Sequence, residues 1–190
     1  MIKNLGMIAP ISIALLVAAF AVACSAETTN DEDFHAKGAE LLLPFKRDLK
    51  TALVSGLEEG AVSAIGVCKD EAPAIASKLS IDGVKVGRTS HRLRNPANQA
   101  SDWVNTVLES YLEKNTKFEP VVTRLPDSRV GYAEAILVQP LCLTCHGNSL
   151  APEVAARIHE SYPADEATGF AVGELRGLYW VEFPQDVDSE

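Results

Sequence analysis

From Phe34 to Leu57 the chain reads FHAKGAELLLPFKRDLKTALVSGL, and Leu42, Phe45, Leu49, Leu53 and Leu57 recur every three or four residues. That is the period of one helix face, so the stretch predicts a long N-terminal helix, with Pro44 marking a kink or a second start. Gly60 separates it from an Ala-rich run, AVSAIGVCKDEAPAIA, which predicts a second helix interrupted near Pro73. The pattern then changes. Asp82-Gly83 is a turn signal, Val84 and Val86 alternate with polar neighbours, and Asn95-Pro96 breaks the chain again. SDWVNTVLESYLEKN predicts an amphipathic helix, with Ser101 as N-cap and Trp103, Val107, Leu108 and Tyr111 on the buried face. FEPVVTRL and VGYAEAILV, turning at Pro126-Asp127, predict a hairpin. A short helix over APEVAARIHESY, a loop and a closing strand over LRGLYWVEF complete the chain. Helices first, then an antiparallel meander with a helix interposed, predict an α+β domain.

The first residues follow a different logic. MIKNLGMIAPISIALLVAAFAVACSA has one lysine, an apolar run from Met7 to Ala23, then small residues. This is the layout of a secretory signal, which predicts export. The competing reading is an uncleaved membrane helix; the run is slightly short for that and contains Pro10 and Ser12. AVAC resembles a bacterial lipobox with Cys24 as the lipid-bearing residue, although Ala21 stands where leucine is typical. AVA also serves as an A-x-A cleavage site that releases a soluble protein. A cysteine at the very end of the apolar run favours the lipoprotein. The expected partition is therefore a signal peptide over 1–23, a polar tether over 24–33 and one domain over 34–190, in a periplasmic, membrane-anchored protein.

Hydrophobic residues make up 47% of the chain, enough for a real core. The formal net charge of −9 speaks against a nucleic-acid partner, because phosphate binding needs a basic face. It leaves room for a basic redox partner, which the sequence does not identify.

Candidate chemistry centres on QPLCLTCHGNS, residues 139–149. Cys142, Cys145 and His146 form C-x-x-C-H, the signature of covalent haem attachment. Two thiols so spaced reach the two vinyl groups on one porphyrin edge, and the adjacent imidazole is placed to ligate the iron. Attachment of this kind requires export, which the leader predicts. A structural zinc site needs a second pair of ligands at regular spacing, and the sequence has none. A thioredoxin-like redox disulfide should open a helix directly after a strand and has no use for the histidine; here Pro140 and Gly147 bracket a tight loop.

Cys68 is the remaining thiol. One reading makes it a small buried core residue; the other makes it the sixth ligand of the iron, as thiolate. RTSHRLRN likewise reads either as a solvated basic loop or as a source of Arg88 and Arg94 for haem propionates, since guanidinium binds carboxylate bidentately. Trp103 and Trp180 are expected in the core, His159 on the surface, and His35 without a visible partner.

AIGVCKDEAPAIA, GRTSHRLRNPAN, GYAEAILVQPLCLTCHG and YPADEATGFAVGELRGLYWVEF, in this order, resemble the PAS-like c-type haem domain family. That family comprises stand-alone secreted cytochromes and extracytoplasmic sensor regions of bacterial signalling proteins. The resemblance covers about Phe34 to Phe183. It implies a PAS-like antiparallel sheet with a long N-terminal helix and flanking helices. It also implies one covalent haem c held by Cys142 and Cys145, with His146 as proximal and Cys68 as distal ligand. His91 departs from the apolar residue expected there and is a possible competing ligand. Three functions follow as expectations. The first is low-potential single-electron transfer. The second is sensing of redox state or of a gas such as NO or CO, which would need a separate partner because no output domain follows the last strand. The third, peroxidase-like catalysis, is disfavoured because it needs an open distal position.

Overall fold

A computed structural model describes residues 25–114 and 117–185. The expected signal peptide and Cys24 lie outside these residues. Five helices and four strands follow one another as α1 (Ser25–Glu59), α2 (Ala61–Leu79), β1 (Lys85–Thr89), α3 (Asp102–Lys114), β2 (Val121–Arg124), β3 (Val130–Leu137), α4 (Leu143–His146), α5 (Pro152–Ser161) and β4 (Leu175–Phe183). The fold is α+β, as the hydrophobic pattern predicts.

The four strands form one antiparallel sheet in the order β1-β4-β3-β2. Strand β4 is central, pairing Val86 with Val181 on one side and Tyr132 with Val181 on the other. Because side chains alternate along a strand, the sheet has two distinct faces. Val86, Val130, Tyr132, Val181 and Phe183 meet Phe34, Leu42, Phe45 and Leu49 of α1 and Ala72 of α2. Ala133 and Leu178 on the other face meet Val104, Val107, Leu108 and Tyr111 of α3. The buried face of α3 thus includes Val104, while Trp103 is half-buried and its indole N–H donates to Glu182 (3.2 Å).

Helix α1 differs from expectation in two ways. Most of the expected tether is helical, since α1 begins at Ser25, and the helix continues through Pro44 without a break. Proline removes one backbone donor, but Leu42 and Phe45 on either side are fully buried against the sheet, which offsets that loss. Helix α2 likewise runs through Pro73. Pro73 is exposed, as is Lys69 one turn earlier, so the carbonyl that loses its donor faces water. The apolar stripe of α1 also changes task along its length. Leu42, Phe45 and Leu49 are buried, and Leu53 and Leu57 continue the same face as half-buried residues beside a cavity.

Candidate functional site

Strand β3 delivers the chain to the C-x-x-C-H segment. Pro140–Cys142 make one 3₁₀ turn and Leu143–His146 one turn of α-helix. The turn closes where Gly147 N–H donates to Leu143 O (3.0 Å). Cys142, Cys145 and His146 all face a cavity bounded across from them by α1 and α2, with Cys68 of α2 in its wall. About 1210 Å³ of space lies between the atoms there, part of it open to solvent. The sequence-predicted residues Cys68, Arg88, Arg94, Cys142, Cys145 and His146 are therefore brought together around one space.

His146 is held in a defined tautomer. Its Nδ1 lies 2.6 Å from the backbone oxygen of Ala167. A carbonyl only accepts, so Nδ1 carries the proton and Nε2 keeps its lone pair. Burial, reinforced by Arg176 and Arg94, pushes the imidazole pKa down to about 2, so the ring is neutral at any ordinary pH. A neutral imidazole with a free Nε2 is what a metal ion accepts as a ligand. Burial also raises the Cys145 thiol above its usual value. The ring of Phe170 stands edge-on to His146 with centroids 6.3 Å apart.

The walls are apolar and cationic. Leu49, Leu53, Leu57, Ile65, Ile136 and Leu141 supply apolar surface. Lys46, Lys50, Arg88, Arg94 and Arg176 supply positive charge, and no carboxylate is among the described lining residues. Arg176 carries a buried Nε without a hydrogen-bond partner among the described residues, and burial lowers its pKa to about 10. Arg88 also makes no hydrogen bond or ion pair there. Orphaned guanidinium donors around an apolar space fit a large flat ligand that carries carboxylates, with the thiol pair at its edge and the free Nε2 toward a metal at its centre.

Arg94 borders the cavity and is also tied to the protein around it. Its Nε donates to Asp165 Oδ1 (2.9 Å), and its Nη2 donates to Cys145 O (2.6 Å), Ala167 O (3.2 Å) and Asp165 Oδ2 (3.2 Å). Its Nε and Nη2 are thus engaged with the protein, while Nη1 of Arg94 and the whole of Arg88 have no hydrogen-bond partner among the described residues. Arg176 donates Nη1 to Arg92 O (3.3 Å) and keeps Nε unpartnered there. His91 lies off the cavity, edge-on to Phe170 at 5.8 Å, with Nδ1 buried and unpartnered. His159 is exposed, as expected, and His35 has a partner after all, an edge contact to Tyr132 at 5.5 Å. Sequence reasoning missed Arg176, whose signal was a positive charge near the start of a mostly apolar strand. It also missed Lys46 and Lys50, which sit between the apolar positions of α1.

Comparison with known proteins gives a family and a structural relative. The model of the Tll0287-like family, described as Tll0287, matches residues 18–184. The chain is similar in structure to one described as "Crystal structure of the cyanobacterial heme-protein Tll0287", with 27% sequence identity and a TM-score of 0.52. That match covers 70% of this chain and 92% of the other. No curated protein matches.

Proposed function

This chain belongs to the Tll0287-like family, and from that premise we propose that it is an exported haem protein carrying one haem c and passing single electrons at low potential. The observation that carries the reading is the hydrogen bond from His146 Nδ1 to Ala167 O, which leaves Nε2 as a ligand on the wall that also bears both thiols. Haem, when bound, supplies an iron centre that alternates between ferric and ferrous states.

The protein's own groups do the rest. Cys142 and Cys145 would hold the haem through their sulfurs. His146 and Cys68 would ligate its iron. Arg88 and Arg176 would pair with its carboxylates. The leucines of α1 exclude water from one face. A thiolate and a neutral imidazole as ligands would stabilise the oxidised charge, lower the potential and leave no open position of the kind a peroxidase needs, which supports a carrier rather than an enzyme. The C-x-x-C-H motif and the leader support export to the periplasm with Cys24 as lipid anchor, and the acidic charge supports a basic redox partner rather than nucleic acid.

The test is an absorption and EPR spectrum of the purified protein, oxidised and reduced, beside Cys68→Ala. A low-spin thiolate signature is expected in the parent, with a raised potential and altered spectrum in the variant. Unchanged values would remove Cys68 as ligand. A second reading, a sensor of redox state or of NO or CO acting through a partner protein, is supported by a further cavity bordering Cys68, Arg88 and Trp180, which gives the thiol room to leave the iron. Rapid displacement of the distal ligand by CO in the reduced protein favours it; an unchanged spectrum favours transfer.

A further inference from the structure

Arg94 and Asp165 form the most enclosed ion pair near the cavity, each side chain 9% exposed. Two charges are seldom withdrawn from water unless their remaining hydrogen-bond capacity is used. Here it is used in one direction. Arg94 donates to Ala167 O, the same carbonyl that accepts the Nδ1 proton of His146, and to Cys145 O, one residue before that histidine. Asp165 Oδ1 accepts from Ala167 N–H (3.0 Å), which fixes the residue carrying that carbonyl at its amide end. Two further backbone bonds lash the segments together, Gly169 N to Gly147 O (3.0 Å) and Phe170 N to His146 O (2.9 Å). The 165–170 segment therefore faces the haem-motif turn along its length, and the Arg94–Asp165 pair is the side-chain link between them.

We propose that Arg94 and Asp165 are positioning residues for His146, orienting its ring and setting its electron donation through the shared carbonyl of Ala167. The proposal rests on the haem reading above. A carbonyl shared between a guanidinium and an imidazole N–H accepts less strongly from each, so Arg94 limits how much negative character His146 acquires. Loss of Arg94 makes the imidazole a stronger donor; loss of the Asp165 charge leaves Arg94 free to draw harder on Ala167 O and makes it a weaker one. Bulk electrostatics gives the same signs, so the lysine variant is the decisive one: it keeps the charge and loses the planar fork that spans Asp165, Cys145 and Ala167.

The experiment uses the full haem-loaded protein and Arg94→Lys, Arg94→Met and Asp165→Asn, with thermal unfolding to establish that each is folded. The ferric EPR g-values and the midpoint potential are read, together with solvent exchange of the His146 Nδ1–H by NMR in the reduced form. Arg94→Lys is expected to change the g-values and to slow that exchange several-fold, because Ala167 O, relieved of the guanidinium, holds the Nδ1–H more strongly. Arg94→Met and Asp165→Asn are expected to shift the potential down and up respectively. Parental g-values and exchange in both Arg94→Lys and Asp165→Asn overturn the positioning role. Should the variants fail to fold, the parent decides: a slowly exchanging His146 Nδ1–H supports the role, and exchange as fast as that of an exposed ring overturns it. A parent protein without haem sinks the haem reading instead, while the exchange of its His146 proton still tests the positioning role.

Discussion

The backbone oxygen of Leu143 lies 2.7 Å from the place a Cβ would occupy on Gly147. The last turn of the C-x-x-C-H segment thus closes onto a residue without a side chain. Gly147→Ala must push the turn open, and overpacking of this kind costs about 1–3 kcal/mol. The variant should show a lower melting temperature and less haem attached per chain, because the displaced carbonyls of His146 and Gly147 anchor Phe170 and Gly169. Parental melting and loading would show that the turn relaxes freely.

Phe170 is 1% exposed, touches the rings of His146 and His91 edge-on, and carries the Arg92 guanidinium 3.5 Å from its centroid. Phe170→Ala should lose about 3–5 kcal/mol of stability in urea unfolding, as expected for truncating a buried aromatic. A loss below about 1 kcal/mol would mean the site collapses to fill the gap.

Arg88 has no charged partner among the described residues, yet it borders the cavity. Arg88→Gln should lower the midpoint potential by tens of millivolts, since removing a nearby positive charge favours ferric iron and about 59 mV corresponds to a factor of ten for one electron. Protein-film voltammetry at low ionic strength reads this. An unchanged potential would place Arg88 outside the field of the iron.

All four tyrosines have raised pKa values, each chiefly through burial, Tyr162 to about 12. An unfolded tyrosine ionises near 10. Between about 10 and 12 the unfolded chain holds fewer protons than the folded one, so stability falls as pH rises through that window. Phenolate absorbance should therefore appear together with the loss of far-ultraviolet circular dichroism. Ionisation of all four near pH 10 in a folded protein would contradict their burial.

Much of this was legible in the sequence because local pattern and tertiary burial agree. The closing strand over Leu175–Phe183 and the helix over α5 follow from alternation and helical spacing alone. C-x-x-C-H is local by nature, so the attachment wall was readable as well. The two prolines misled as helix ends, because propensity describes an isolated helix, while burial of Leu42 and Phe45 carries α1 past Pro44 and α2 turns its freed carbonyl to solvent. The role of Arg94 was out of reach for a different reason. Asp165 is 71 residues away, and nothing in RTSHRLRN says which arginine folds inward.

The central claim is one porphyrin joined covalently to Cys142 and Cys145. The direct measurement is to express the full chain with complete cytochrome-maturation machinery and extract the purified protein with acidified organic solvent. Pigment that stays with the polypeptide, and is lost to the solvent only in a Cys142→Ala/Cys145→Ala variant, is the predicted result. A colourless protein, or pigment that leaves the parent in the organic phase, would contradict it.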